Sequence, residues 1–278
     1  MSWRQRSGPS LSRKRWPPAG GKVMILAKMK WPEVQAEVEK GTPVLVPVGS
    51  TEQHGPHLPL DTDMAICYYI AEKAAERSQT IVAPPLNFGY NEKELMFPGT
   101  ISLRSETLLH CLVDICLSLA RSGLRRIAII NGHGYNRFLV PQAAHMVMEK
   151  SEALVAAITY WDLISDLVEK HRESKLGGIS HSCEFETSCQ LYLDPAHVDM
   201  SKAVEEVPPI LSKYTWSDLA SASPVYIRAR FDRLSKSGVM GNPLLASAEK
   251  GKIWVEAAIE RLADFLERFK QDFDHLLP

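Results

Sequence analysis

PVLVPVG, residues 43–49, is an apolar run of strand length that ends on a glycine, and the chain continues as STEQHGPHLPLDTD to residue 63. A continuous apolar run suits a strand buried on both faces, as in a parallel sheet. The pattern repeats on either side of it. MAICYYIAEKAAERS (64–78) has helical periodicity, and TIVAPPL (80–86) reads as a second strand that its prolines end or place near an edge. SETLLHCLVDICLSLARSG (105–123) reads as a helix, RRIAIING (125–132) as a strand, RFLVPQAAHMVMEK (137–150) as a helix and ALVAAITYW (153–161) as a fourth strand. CEFETSCQLYL (183–193) reads as a short helix, and residues 247–273 as a long amphipathic one. Strands alternating with helices predict an α/β fold with a mostly parallel sheet covered on both faces.

In such sheets ligands gather beyond the carboxyl ends of the strands. The chemically dense segments begin there: GSTEQHGPH after the first strand, NGHGYN after the third and YWD after the fourth. Glu52 and His54 are two apart, so in extended chain their side chains face the same side. Asp61 and Asp63 follow before a helix, and His133 arrives between Gly132 and Gly134, which permit close backbone approach. Two imidazoles with several carboxylates form a ligand set for divalent zinc, manganese or iron. Two such ions bridged by a carboxylate can acidify a water to a pKa of about 7, giving a hydroxide without a nucleophilic Ser or Cys. HSCEFETS (181–188) adds His181, Glu184 and Glu186. Acidic residues in a first helical turn also have a purely structural use. Single histidines such as His57 are more often structural than ligating. NGHGYN alone could instead be a phosphate turn of a non-catalytic small-molecule or nucleotide-binding protein, though it lacks the third glycine of a dinucleotide fingerprint.

Composition narrows the class. Apolar content is 45%, charged content 23% and net charge −1, with no global field to attract nucleic acid. Residues 1–32 nevertheless hold eight Lys or Arg and no acid, so the rest carries net −9. Residues 1–23 are expected to form a disordered basic extension, and 24–278 a single domain. Five cysteines without a CxxC pair suggest free thiols in a reducing cytoplasm, and no segment has the ~20 apolar residues of a membrane span.

VPVGSTEQHGPHLPLDTD, FPGTISL, NGHGYN, YWD and HSCEFETS, in this order, resemble the signature segments of the creatininase family of metal-dependent amidohydrolases. The resemblance implies a three-layer α/β/α sandwich, a two-metal site, hydrolysis of an amide-type C–N bond in a small molecule, and a homohexamer. It implies Glu52 and His133 on one metal, His54 on the other, Asp63 as the bridge, and His181 and Glu186 as the catalytic pair. Trp161 matches an aromatic residue near the substrate. Creatinine-hydrolysing members carry a glutamate where this chain has Tyr135, placing Tyr135 beside the substrate. Glu184 is expected to supply the missing carboxylate as a fifth metal ligand. They also carry a tryptophan where Gly177 stands, which argues against creatinine and leaves cyclic amides, formamides and peptides as substrate classes.

Overall fold

The computed structural model describes residues 23–210, 212–227 and 229–277. The expected basic extension lies outside the described residues, apart from Val23. Five strands form one parallel sheet in the order β1-β3-β2-β4-β5: β1 (Met24–Ile25), β2 (Val44–Val48), β3 (Ile81–Val82), β4 (Arg126–Asn131) and β5 (Leu154–Thr159). The apolar run that opened the sequence is β2, and all five of its residues are buried. The strand expected over 80–86 is shorter. Pro84 and Pro85 lack the N–H that a ladder needs, and the chain rejoins β2 only at Leu86, whose carbonyl accepts from Gly49 N.

The three-layer α/β/α sandwich follows from period-two alternation along these strands. Leu45, Val82, Ala128, Ile130 and Ile158 face one layer. There they meet α2 (Thr62–Ser78), α6 (Glu184–Leu193) and α7 (Ala248–Gln271). Val44, Val46, Ile81, Ile127 and Ile129 face the other, against α3 (Ser105–Arg121) and α4 (Leu139–Lys150). Each of the Leu, Val and Ile side chains among them contributes about 1.5–3 kcal/mol on burial. A one-residue slip would move every one of them to the wrong layer, so the register is firmly set. That register aligns Val48 with Asn131 and Asn131 with Thr159, which brings three strand ends level at one rim.

The remaining elements frame that rim. α1 (Trp31–Glu39) and α5 (Ser165–His171) were not legible as separate helices, and β6 (Ile179–His181) pairs antiparallel with β7 (Met240–Gly241). Helix α7 starts at Ser247, whose hydroxyl accepts from Lys250 N, and buries Trp254, Ala258, Ile259 and Leu262 on one stripe. It lies so close to α6 that a Cβ on Gly251 would sit 1.9 Å from the Ser188 carbonyl oxygen. Among the described residues no helix is long and apolar enough to cross a membrane.

Candidate active site

The carboxyl ends of β2 and β4 deliver Glu52, His54 and His133, and the first turn of α2 delivers Asp63. The approach is tight: a Cβ on Gly132 would lie 2.5 Å from Cys67 Cβ and 2.6 Å from the Asp63 carbonyl oxygen. All four side chains are buried. Asp63 divides its two oxygens. Its Oδ2 lies 2.7 Å from His133 Nδ1, and its Oδ1 lies 3.2 Å from His54 Nε2. Glu52 Oε1 lies 3.3 Å from the same His133 nitrogen.

The other nitrogen of each ring faces a main-chain carbonyl. His54 Nδ1 lies 3.2 Å from the Glu52 carbonyl oxygen, and His133 Nε2 lies 3.3 Å from that of Tyr90. A carbonyl only accepts, so those nitrogens carry the N–H. His54 Nε2 and His133 Nδ1 are therefore the nitrogens turned on Asp63: in the metal-free protein each carries a second proton toward that carboxylate, and loss of that proton frees a lone pair for a metal. His54 Nε2 is fully buried, and its 3.2 Å approach to Asp63 Oδ1 is an ion pair without hydrogen-bond geometry. The donor atoms group as Glu52–Asp63–His133 and as His54–Asp63–Glu186, with a further grouping of Glu52, His54 and His181. Nitrogen and carboxylate donors of this kind fit zinc, manganese or iron.

Electrostatics agree with a site built for cations. Burial disfavours imidazolium at His54, yet Asp63, Glu186 and Glu52 outweigh it and hold the ring protonated up to about 10. His133 is likewise pushed well above its ordinary value, burial being overcome by Glu52 and Asp63. Burial raises Glu186 to about 7, and burial together with Glu52 raises Glu94 well above the carboxylate range. Desolvation and the neighbouring His54 hold His181 well below its ordinary value.

Helix α6 corrects one expectation. Glu184 is buried but faces away from Glu52, His54, Asp63 and His133. Its oxygens accept from Glu173 N at 2.9 Å, Ser174 N at 2.9 Å and Lys250 Nζ at 2.7 Å. Burial pushes its carboxyl up, but Lys250 and these donors outweigh it and hold it below the ordinary range. The reason is helical geometry: residues two apart point roughly 200° from each other, so Glu184 and Glu186 cannot face one centre. Glu186 faces the cavity. Ser182, buried at φ 51, makes the left-handed turn between β6 and α6 that presents His181 and Glu186 to the same space.

Two residues that sequence reasoning missed complete this wall. Gln53 Nε2 donates to Glu94 Oε2 and to the Gly238 carbonyl, both at 3.0 Å, which spends its two hydrogens. His181 Nε2 lies 2.8 Å from the Gln53 carbonyl oxygen and so carries its proton there, leaving Nδ1 bare. Glu94 lines the cavity, but nothing in NEKELMFPGT marks it. The cavity holds about 300 Å³, and Tyr135 and Trp161 are among the residues that line it. His57 Nε2 lies 2.9 Å from Thr187 Oγ1, outside the Glu52–His54–Asp63–His133 group. The phosphate-turn reading of NGHGYN loses ground because the His133 amide already donates to Asn131 Oδ1.

The sequence profile described as "Creatininase: Creatinine amidohydrolase" matches residues 27–266. The chain belongs to the creatininase family. It is 30% identical over 259 residues to a creatinine amidohydrolase of Pseudomonas putida, covering 87% of this chain and 96% of that one. It is 32% identical over 240 residues to a mycofactocin precursor peptide peptidase of Mycolicibacterium smegmatis, covering 84% and 88%. A solved mutant creatininase of Zn-Zn type superposes with a TM-score of 0.76 at 29% identity, covering 89% of this chain and 98% of that one. A manganese form of creatininase is similar to the same degree. This creatininase-family chain is therefore an amidohydrolase of C–N bonds.

Proposed function

We propose that this enzyme hydrolyses an amide-type C–N bond with two divalent ions, one held by Glu52, Asp63 and His133 and the other by His54, Asp63 and Glu186. The observation that carries this reading is the division of the Asp63 oxygens between two buried imidazole nitrogens, each of which a metal can take by displacing its proton while the other ring nitrogen keeps its N–H on a carbonyl. Glu186 then takes the place that the sequence suggested for Glu184. When bound, such ions supply Lewis acidity and a water acidified to near neutrality. The chain's own groups do the rest. His181, neutral and with Nδ1 bare, accepts a proton from the attacking water and returns it to the leaving nitrogen. The Gln53 carbonyl fixes its tautomer, and the Gln53 amide is itself fixed by Glu94 and Gly238. Trp161 and Tyr135 bound the space for the acyl or amine arm.

A homo-oligomer, hexameric by family resemblance, belongs to the same reading. Exposed Val207, Ile210, Tyr214 and Ile227 on one stretch support it.

Metal binding should release protons. At pH 7.5 the metal-free rings of His54 and His133 are held protonated, and an ion needs them neutral. Each ion therefore displaces a proton, and affinity rises with pH and falls as pH drops. Zinc titration calorimetry in buffers of different ionisation enthalpy is expected to show about two protons released per protomer. Zero release would contradict the ligand assignment.

Activity is tested with zinc- or manganese-loaded protein against creatinine, formamides, cyclic amides and peptides. We expect chelator-sensitive, metal-restored hydrolysis of at least one amide class, with creatinine a poor substrate because of Tyr135 and Gly177. Rapid creatinine turnover would overturn the substrate argument. Absence of any amide hydrolysis would overturn the reaction.

A further inference from the structure

We propose that Arg137 selects amide substrates carrying a carboxylate remote from the scissile bond, an inference that rests on the amidohydrolase reading above. Arg137 lies in the 3-10 turn Gly134–Phe138 that follows His133, so the strand end that brings a metal ligand also brings this guanidinium. Among the described residues it is the one Arg or Lys lining the cavity. Its Nη2 lies 3.0 Å from Asp162 Oδ2, in a pair whose side chains are 34% and 41% exposed. Ion pairs so exposed contribute little, so exchanging Asp162 for a substrate carboxylate costs little. Partial burial also holds the Asp162 carboxyl above its ordinary range despite Arg137.

The charge of the cavity suits an anion only when it is loaded. Glu52, Asp63 and Glu186 would otherwise repel one, while burial and Glu52 push Glu94, also on the wall, toward its neutral form; two divalent ions outweigh the three remaining carboxylates. Asp218, also on the wall, does not oppose it, because Arg172 grips both of its oxygens at 3.0 and 2.8 Å. A second donor waits nearby. Trp161 is buried, lines the same cavity, and its indole N–H has no partner. Phe138 and Tyr226, edge to face with ring centroids 4.8 Å apart, add apolar wall. A planar guanidinium matches a carboxylate in two parallel hydrogen bonds, which a lysine or a neutral donor does not reproduce.

The test uses two hydroxamates, which bind divalent metals without being turned over: succinate monohydroxamate and its uncharged monoamide counterpart. Their dissociation constants are measured on the zinc-loaded protein and on Arg137→Gln and Arg137→Lys with matched zinc content. The charged probe is expected to bind wild type about tenfold more tightly than the neutral one. That ratio should fall to near one in Arg137→Gln and be partly kept in Arg137→Lys. A wild-type ratio within twofold of one, an unchanged ratio in Arg137→Gln, or no binding of either probe overturns the proposal. If the ratio behaves as expected while no amide in the panel is hydrolysed, the fault lies with the reaction and not with the selection of charge.

Discussion

Asp63→Ala is expected to empty both metal sites together and to lower amide hydrolysis by at least about a thousandfold, about 4 kcal/mol of transition-state stabilisation. The two Asp63 oxygens reach two different imidazoles, so the substitution removes a ligand from each set at once. It also leaves His54 and His133 without the carboxylate that holds them charged in the metal-free protein. Metal content after gel filtration and kcat/KM on any substrate found in the panel give the readouts. Asp63→Asn preserves shape but offers one oxygen acceptor, and should retain at most one ion. An Asp63→Ala protein that still carries two ions would show that the bridge lies elsewhere.

Glu184→Ala should act on stability and not on metal content. The buried carboxylate satisfies two backbone amides and the Lys250 ammonium, which tie the segment after α5 to α6 and α7. Lys250 keeps Glu173 and the Leu245 carbonyl as partners, so the cost is that of the backbone amides left without an acceptor, about 1–3 kcal/mol. Urea unfolding should show a loss of that order, with ions per folded protomer unchanged. Glu186→Gln should do the reverse, losing the ion shared with His54 while altering stability far less. A Glu184→Ala protein of unaltered stability that lost an ion would restore Glu184 as a ligand.

These two glutamates also show what the sequence could and could not convey. The sandwich was legible because apolar strands alternate with helices, and the three dense segments fall at strand ends that the register makes level. Glu52, His54, Asp63 and His133 were legible because their spacing and their position after strands leave buried charges in need of partners. The choice between Glu184 and Glu186 was not. It depends on the phase of α6 about its axis, which the left-handed Ser182 sets. Glu94 and Arg137 were not singled out for a different reason. Each is an ordinary charged residue until the fold turns it toward a cavity built from distant segments. Gln53 lay within the quoted stretch, but its role depends on Glu94 and Gly238, 41 and 185 residues away.

The central claim is that one carboxylate, Asp63, joins two metal ions. Anomalous diffraction at the zinc absorption edge, on crystals grown from zinc-loaded protein, tests it most directly. Two peaks should flank Asp63, one coordinated by Glu52 and His133 and the other by His54 and Glu186. A single peak, or a second ion held by Glu184, would contradict the account.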